Sequence, residues 1–234
     1  MNHYELDQNN KLSHYVGWSL IASIVIGILA SMTISSGIDI NLSADITKTA
    51  ENMLQAQQRL HARAYVSLFS FMLQGFISVG FFFVLRAHGP VLATWALVTG
   101  VAAALLSLTG AVSAMNVALL AENSAFDALT NDAQRLMLAG MQVTSDYTSF
   151  HLSLVLGCIA NAAVFYLFLK SKLIPKLISG WGLFASLFVA ATIVGRDFIP
   201  ALGSNTITVA FMVSNLTAIV ALGLYLGIKG VRKS

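Results

Sequence analysis

Hydrophobic positions in this chain come in long unbroken runs, not in the strict alternation of a half-exposed strand or a membrane barrel. A helix that crosses hydrocarbon needs about 20 mainly apolar residues, each adding about 1.5 Å of rise. Six stretches qualify, at 16–36, 64–85, 91–119, 148–169, 178–194 and 206–228, the fifth short and the third long. Only helices and closed barrels satisfy their backbone groups inside a bilayer, and continuous runs select helices. The pattern therefore predicts an all-α polytopic membrane protein, a bundle of six transmembrane helices in a single domain over 1–234.

Two of the connections are long and patterned. Ile46, Ala50, Met53, Leu54 and Leu60 recur at near-helical spacing among polar residues. In the other, Thr130-Asn131-Asp132 offers cap residues ahead of Ala133, Leu136, Met137 and Met141. Both are expected to be short amphipathic helices on the outer surface. Within the first span Ser19, Ser23, Gly27, Ser31 and Ser35 recur every four residues. Small residues in such a ridge let two backbones approach closely, so this face is expected against another helix, with Gly223 and Gly227 giving the last span a shorter version.

Composition agrees with a lipid solvent. The chain is 57% hydrophobic and 10% charged, whereas a soluble domain carries roughly a quarter charged residues. Residues 1–15 include Glu5 and Asp7, a poor start for a signal peptide, so the first span is expected to be retained. Cys158 is the single cysteine and lies inside the fourth span, where it can make no internal disulfide. The net charge of +3 is no nucleic-acid signal, because the bases gather at one end of the spans. Lys11, Arg86, Lys170, Lys172, Lys176, Lys229, Arg232 and Lys233 share the N-terminal face. Lys48, Arg59, Arg63, Arg135 and Arg196 lie opposite, in longer loops that also hold most acidic residues. The positive-inside rule then places both termini in the cytoplasm.

Trp18, Trp95 and Trp181 open the odd spans at that same level, where an indole finds an apolar layer and a polar partner together. Each is followed by a small residue and leucine, and each even span closes on an aliphatic residue and a base (Leu85-Arg86, Leu169-Lys170, Ile228-Lys229). Interfacial anchoring explains this pattern, as does a helical hairpin used three times.

Chemical motifs are scarce. No P-loop, zinc-protease histidine pair or hydrolase elbow is present. No Asp, Glu, Lys or Arg falls inside a predicted span, which argues against a proton-driven pump and a retinal protein. Pro90, Pro175 and Pro200 all lie between spans, so broken transporter-type helices are not expected. Polar groups at depth remain: Gln74 with Ser67, Ser70 and Ser78 along the second span, Asn161 in the fourth, Asn215 in the sixth. They serve either interhelical hydrogen bonding or a polar-lined ligand pocket, and all three amides are expected to point into the bundle. His61 and His151 sit at the outer ends of the even helices next to them, where two imidazoles could hold haem iron or another metal.

Around the fourth-to-fifth connection the chain reads Leu169-Lys170-Ser171-Lys172-Leu173-Ile174-Pro175-Lys176-Leu177-Ile178-Ser179-Gly180-Trp181-Gly182-Leu183, preceded by Tyr166. With the closing Leu224, Gly227-Ile228-Lys229-Gly230, this resembles the bacterial "domain of unknown function 4386" family over about 148–232. Lys176 stands where that family more usually has arginine, and Ile178 where it has leucine. The resemblance implies a six-to-seven-helix protein of the bacterial inner membrane, and it carries no catalytic residues to this chain. The leading expectation is a non-enzymatic bundle that binds a lipid-like ligand, a membrane-protein partner or a second copy. A small-solute transporter or channel using the mid-membrane amides, and a haem-binding redox protein using His61 and His151, are the alternatives.

Overall fold

The computed structural model describes residues 3–42, 44–122 and 131–232, the side chains of 3–7 excepted. Its helices are α1 (His3–Met32), α2 (Ile46–Leu54), α3 (Gln57–Leu85), α4 (Pro90–Ala121), α5 (Asp132–Ser171), α6 (Lys176–Arg196) and α7 (Asn205–Lys229), with short 3₁₀ turns at Arg86–His88 and Pro200–Gly203. No strand occurs among the described residues. All but α2 are long and apolar enough to cross a membrane, so the chain is an all-α, multi-pass membrane protein.

Local chemistry sets the ends. Pro90 opens α4 at a position that has no intrahelical N–H bond to lose. Gly230 closes α7 at φ 67°, a conformation glycine adopts without strain, and its N–H reaches Leu226 O at 2.9 Å. Asp45 caps α2 by accepting from the Lys48 N–H at 3.0 Å. Ahead of α5, Gln134 N donates to Asn131 Oδ1 (2.9 Å) while Asn131 N donates to Gln134 Oε1 (3.0 Å), a reciprocal capping box.

That box corrects one expectation. The segment around 133–141 is no separate surface helix; it is the first part of a single helix of 40 residues. Nothing between Asp132 and the apolar run interrupts the hydrogen-bond ladder, since the stretch contains no proline. The other amphipathic segment does form a short helix, α2, with Ala50 and Met53 buried.

The chain forms two compact units. The first comprises Met1–Ile24, Leu73–Ala103 and Leu154–Ser234. Its core includes Phe165, Phe168, Leu85, Ile174, Leu222 and Leu226, and Phe81 meets Phe168 edge-on at 5.9 Å between ring centroids. Glycines allow its closest contacts. A Cβ on Gly17 of α1 would lie 2.7 Å from Gly223 O and collide with the Gly227 backbone of α7, and one on Gly182 of α6 would strike the Phe165 ring. His14 Nδ1 lies 2.9 Å from Gly227 O, and Ser13 Oγ accepts from Val231 N at 3.1 Å, which fastens the chain's two ends together.

The second unit comprises Val25–Met72 and Ala104–Ser153. Ile38, Ile40, Met53, Leu60, Val117 and Val143 are among its core residues. The turn after α1 is held by side chains: Arg59 donates to Ile34 O and Ser36 O, Arg63 to Ile38 O at 3.2 Å, and Asn52 to Gly37 O at 2.7 Å. Gly37 sits at φ 76°, the left-handed region that a side chain would strain.

The small-residue ridge of α1 is a second correction. A Cβ at Gly27 would meet nothing within 4 Å, and Ser31 is exposed, donating to Asp39 at 3.1 Å. The tight approach of α1 lies instead at Gly17, against the Gly223 and Gly227 pair. The reason is geometric: an exact four-residue spacing drifts about 40° around a helix with each step, so Ser19 and Ser31 lie about 120° apart and cannot share one face. Ser35 lies past the end of α1, in the turn that follows, and is buried there, while Gly27 is open.

Candidate functional site

The three amides singled out from the sequence all belong to the first unit: Gln74 on α3, Asn161 on α5 and Asn215 on α7. Each is half-buried. Among the described residues no hydrogen bond joins any of them to another. Asn215 Oδ1 is buried without a partner, and so are Ser214 Oγ beside it and Ser186 Oγ on α6. Helices α6 and α7 pack on each other, and Trp181 Nε1 donates across to Ser214 O at 3.3 Å.

A serine inside a helix normally turns its hydroxyl back to a carbonyl three or four residues earlier. Ser23, Ser70 and Ser153 do so, at 2.8, 2.8 and 2.7 Å. Ser186 and Ser214 do not, which leaves two hydroxyls and one amide oxygen unused on a single helix pair. Each unmet buried group costs about 1–3 kcal/mol. Around Gln74 the expected serine stripe divides: Ser70 bonds its own helix, whereas Ser78 is buried and faces Gly100 of α4, its Oγ 3.1 Å from where a Cβ would stand.

In the second unit the structure brings together charges that the sequence pattern hid. Arg63 Nη2 on α3 donates to Asp146 Oδ2 on α5 at 2.6 Å, with side-chain exposures of 11% and 7%. The Asp146 carboxylate lies against Gly110 of α4, where a Cβ would collide with it. Both ionisable residues lie on helices long and apolar enough to cross a membrane, just outside the predicted spans. The predicted spans began at 64 and 148, immediately past Arg63 and Asp146, because a hydropathy reading stops at the first charge while the helix does not.

The histidines occupy different surroundings. His61 Nδ1 on α3 lies 3.2 Å from Met115 Sδ on α4, and its Nε2 lies 3.7 Å from Glu122 Oε1, which also accepts from Gln57 Nε2. His151 on α5 sits 6.3 Å from the Tyr147 ring, tilted by 43°. Among the described residues no group of three or more His, Cys, Asp or Glu side chains is placed to hold a metal ion. Cys158 is buried and free.

A family model described as a domain of unknown function, DUF4386, matches residues 15–230. The chain belongs to the DUF4386 family. The match runs through α1 to α7, well beyond the C-terminal segment that carried the sequence resemblance. No curated protein and no solved structure matches the chain.

Proposed function

We propose that this DUF4386 protein is a non-enzymatic component of the bacterial inner membrane, one membrane domain with both termini cytoplasmic, whose bundle binds a lipid-like ligand. The observation that carries this reading is the trio of unpartnered buried oxygens on α6 and α7, Ser186 Oγ, Ser214 Oγ and Asn215 Oδ1. An amide oxygen only accepts, and a serine hydroxyl also donates, so the matching ligand brings hydroxyl or N–H donors on a small polar group. The apolar surface of the helices, with side chains such as Leu187 and Leu216 exposed, suits an acyl or isoprenoid body beside that group. Gln74 and Asn161 supply further polar contacts on α3 and α5 in this reading.

Native mass spectrometry of the protein released from membrane nanodiscs tests the proposal. A retained mass is expected in wild type and lost in Asn215→Leu and in Ser186→Ala. Absence of any retained mass, or retention unchanged in both variants, overturns it. For the topology, membrane-impermeant thiol labelling of single cysteines in a Cys158→Ala background should mark Arg135→Cys from outside and leave Lys172→Cys unlabelled.

The buried Arg63–Asp146 pair favours a second reading, small-solute transport, because ionisable groups within membrane-capable helices commonly lie on solute or proton pathways. Solute flux into proteoliposomes that Asp146→Asn abolishes would move the balance to that reading.

A further inference from the structure

We propose that His61 and Met115 form a site for a soft monovalent metal ion, Cu(I) in its chemistry, independently of the ligand reading above. The two side chains come from different helices, α3 and α4, and point a ring nitrogen and a thioether sulfur at each other across 3.2 Å. A neutral imidazole carries a single N–H and directs it to the stronger acceptor. The Glu122 carboxylate, a stronger acceptor than a thioether, lies 3.7 Å from Nε2, just beyond direct hydrogen-bond distance, and itself accepts from Gln57 Nε2. In the tautomer protonated at Nε2, toward that carboxylate, the Nδ1 lone pair faces the lone pairs of Met115 Sδ. Two such donors gain little from one another, whereas a cation between them binds both.

The geometry is close to what a metal needs. Metal–nitrogen and metal–sulfur bonds of about 2.1 and 2.3 Å at a tetrahedral angle separate the two ligand atoms by about 3.6 Å, a few tenths more than the gap observed. A wider angle asks for a larger opening, which the unbranched methionine supplies through its own rotamers. Thioether and imidazole together select Cu(I) over hard cations, which take oxygen ligands. On metal binding Glu122, 3.7 Å from Nε2, serves as the outer carboxylate that takes the Nε2 N–H, an arrangement that raises the basicity of a ligating histidine. His61 and Glu122 are 37% and 39% exposed, so an ion reaches the site without opening the core.

The test uses full-length protein in nanodiscs with Cys158→Ala, since that thiol would itself take a soft metal, and Ag(I) as a redox-inert probe. The expected result is one tightly held Ag(I) per chain by native mass spectrometry, with the Met115 methyl and His61 Nδ1 resonances shifting together. Both His61→Ala and Met115→Leu should abolish it, and Glu122→Gln should weaken it about tenfold or more. Met115→Leu preserves volume and so keeps the test valid should His61→Ala fold poorly. Met141→Leu, which alters an exposed methionine away from the pair, should leave the stoichiometry unchanged. Failure of wild type to bind Ag(I), or equal binding by the Met115→Leu variant, overturns the proposal.

Discussion

The two units of this protein solve the same problem in opposite ways. In the first, helices approach at backbone distance where glycine removes the side chain, as at Gly17 against Gly223 and Gly227 and at Gly182 beneath Phe165. In the second, side chains reach out to hold main chain and each other: Arg59 and Arg63 bind the carbonyls of the turn after α1, and Arg63 also neutralises Asp146. Without a strong hydrophobic drive between helices in lipid, either close van der Waals packing or polar bonds must supply cohesion. The first unit uses packing and leaves Ser186, Ser214 and Asn215 unmet; the second pairs its charges. Unsatisfied groups are therefore more informative in the first unit, where nothing in the packing explains them.

The contrast breaks most visibly at Asp146. Replacing it with alanine leaves the Arg63 guanidinium buried and uncompensated, which costs about 3–5 kcal/mol. Thermal unfolding in detergent should show a large drop in midpoint for Asp146→Ala. The double variant Arg63→Met with Asp146→Leu should recover most of it, because a buried pair is replaced far more cheaply than it is halved. A double variant as unstable as the single one would mean that Asp146 stabilises through something other than Arg63.

Next in size is Gly17→Val. The added side chain must force α1 away from the Gly223 and Gly227 backbone, and such overpacking costs about 1–3 kcal/mol. Because backbone is what the new side chain meets, neighbours cannot relieve the clash by changing rotamer. The same midpoint measurement checks it, and the loss should persist when Arg63 and Asp146 are already replaced, since the two devices share no residue.

These sites also mark how far the sequence could be read. Six apolar runs were legible because hydrophobicity over some twenty residues is a strong signal. Every span was found, and the main error was in how far polar helix continues past the apolar part. Helix α5 begins at Asp132, where the apolar count begins only at 148, and that gap holds Asp146. Asn131, among the candidate cap residues, did mark the start, whereas its partner in the capping box, Gln134, was not singled out. The pairing of Arg63 with Asp146 was not legible, because the two are far apart in sequence and only helix packing makes them neighbours. Of the candidate ligands, Asn215 was visible as an isolated amide in an apolar run, while Ser186 looked like any small residue in α6. His61 stood out as a histidine, yet its nearest partner is a methionine that no metal motif would flag.

The smallest expected effect is also the sharpest test of where α1 makes its close contact. From spacing alone, Gly27 is the centre of a ridge of small residues and Gly27→Leu should be as damaging as any change in α1. In the structure a Cβ at Gly27 meets open space, whereas at Gly17, ten residues earlier on the same helix, it meets backbone. Ten residues turn a helix through about 280°, so the two glycines face different directions and cannot serve one contact. Gly27→Leu should therefore change stability by no more than about 0.5 kcal/mol in detergent, where the helix surface is solvated. Leucine also has the higher helix propensity, by nearly 1 kcal/mol, so a slight gain is the expected sign. If Gly27→Leu instead destabilises as strongly as Gly17→Val, the open face of α1 is covered in the folded protein, by a second copy or by a partner. Repeating the measurement across a range of protein concentrations separates these two, because only self-association makes the loss depend on concentration.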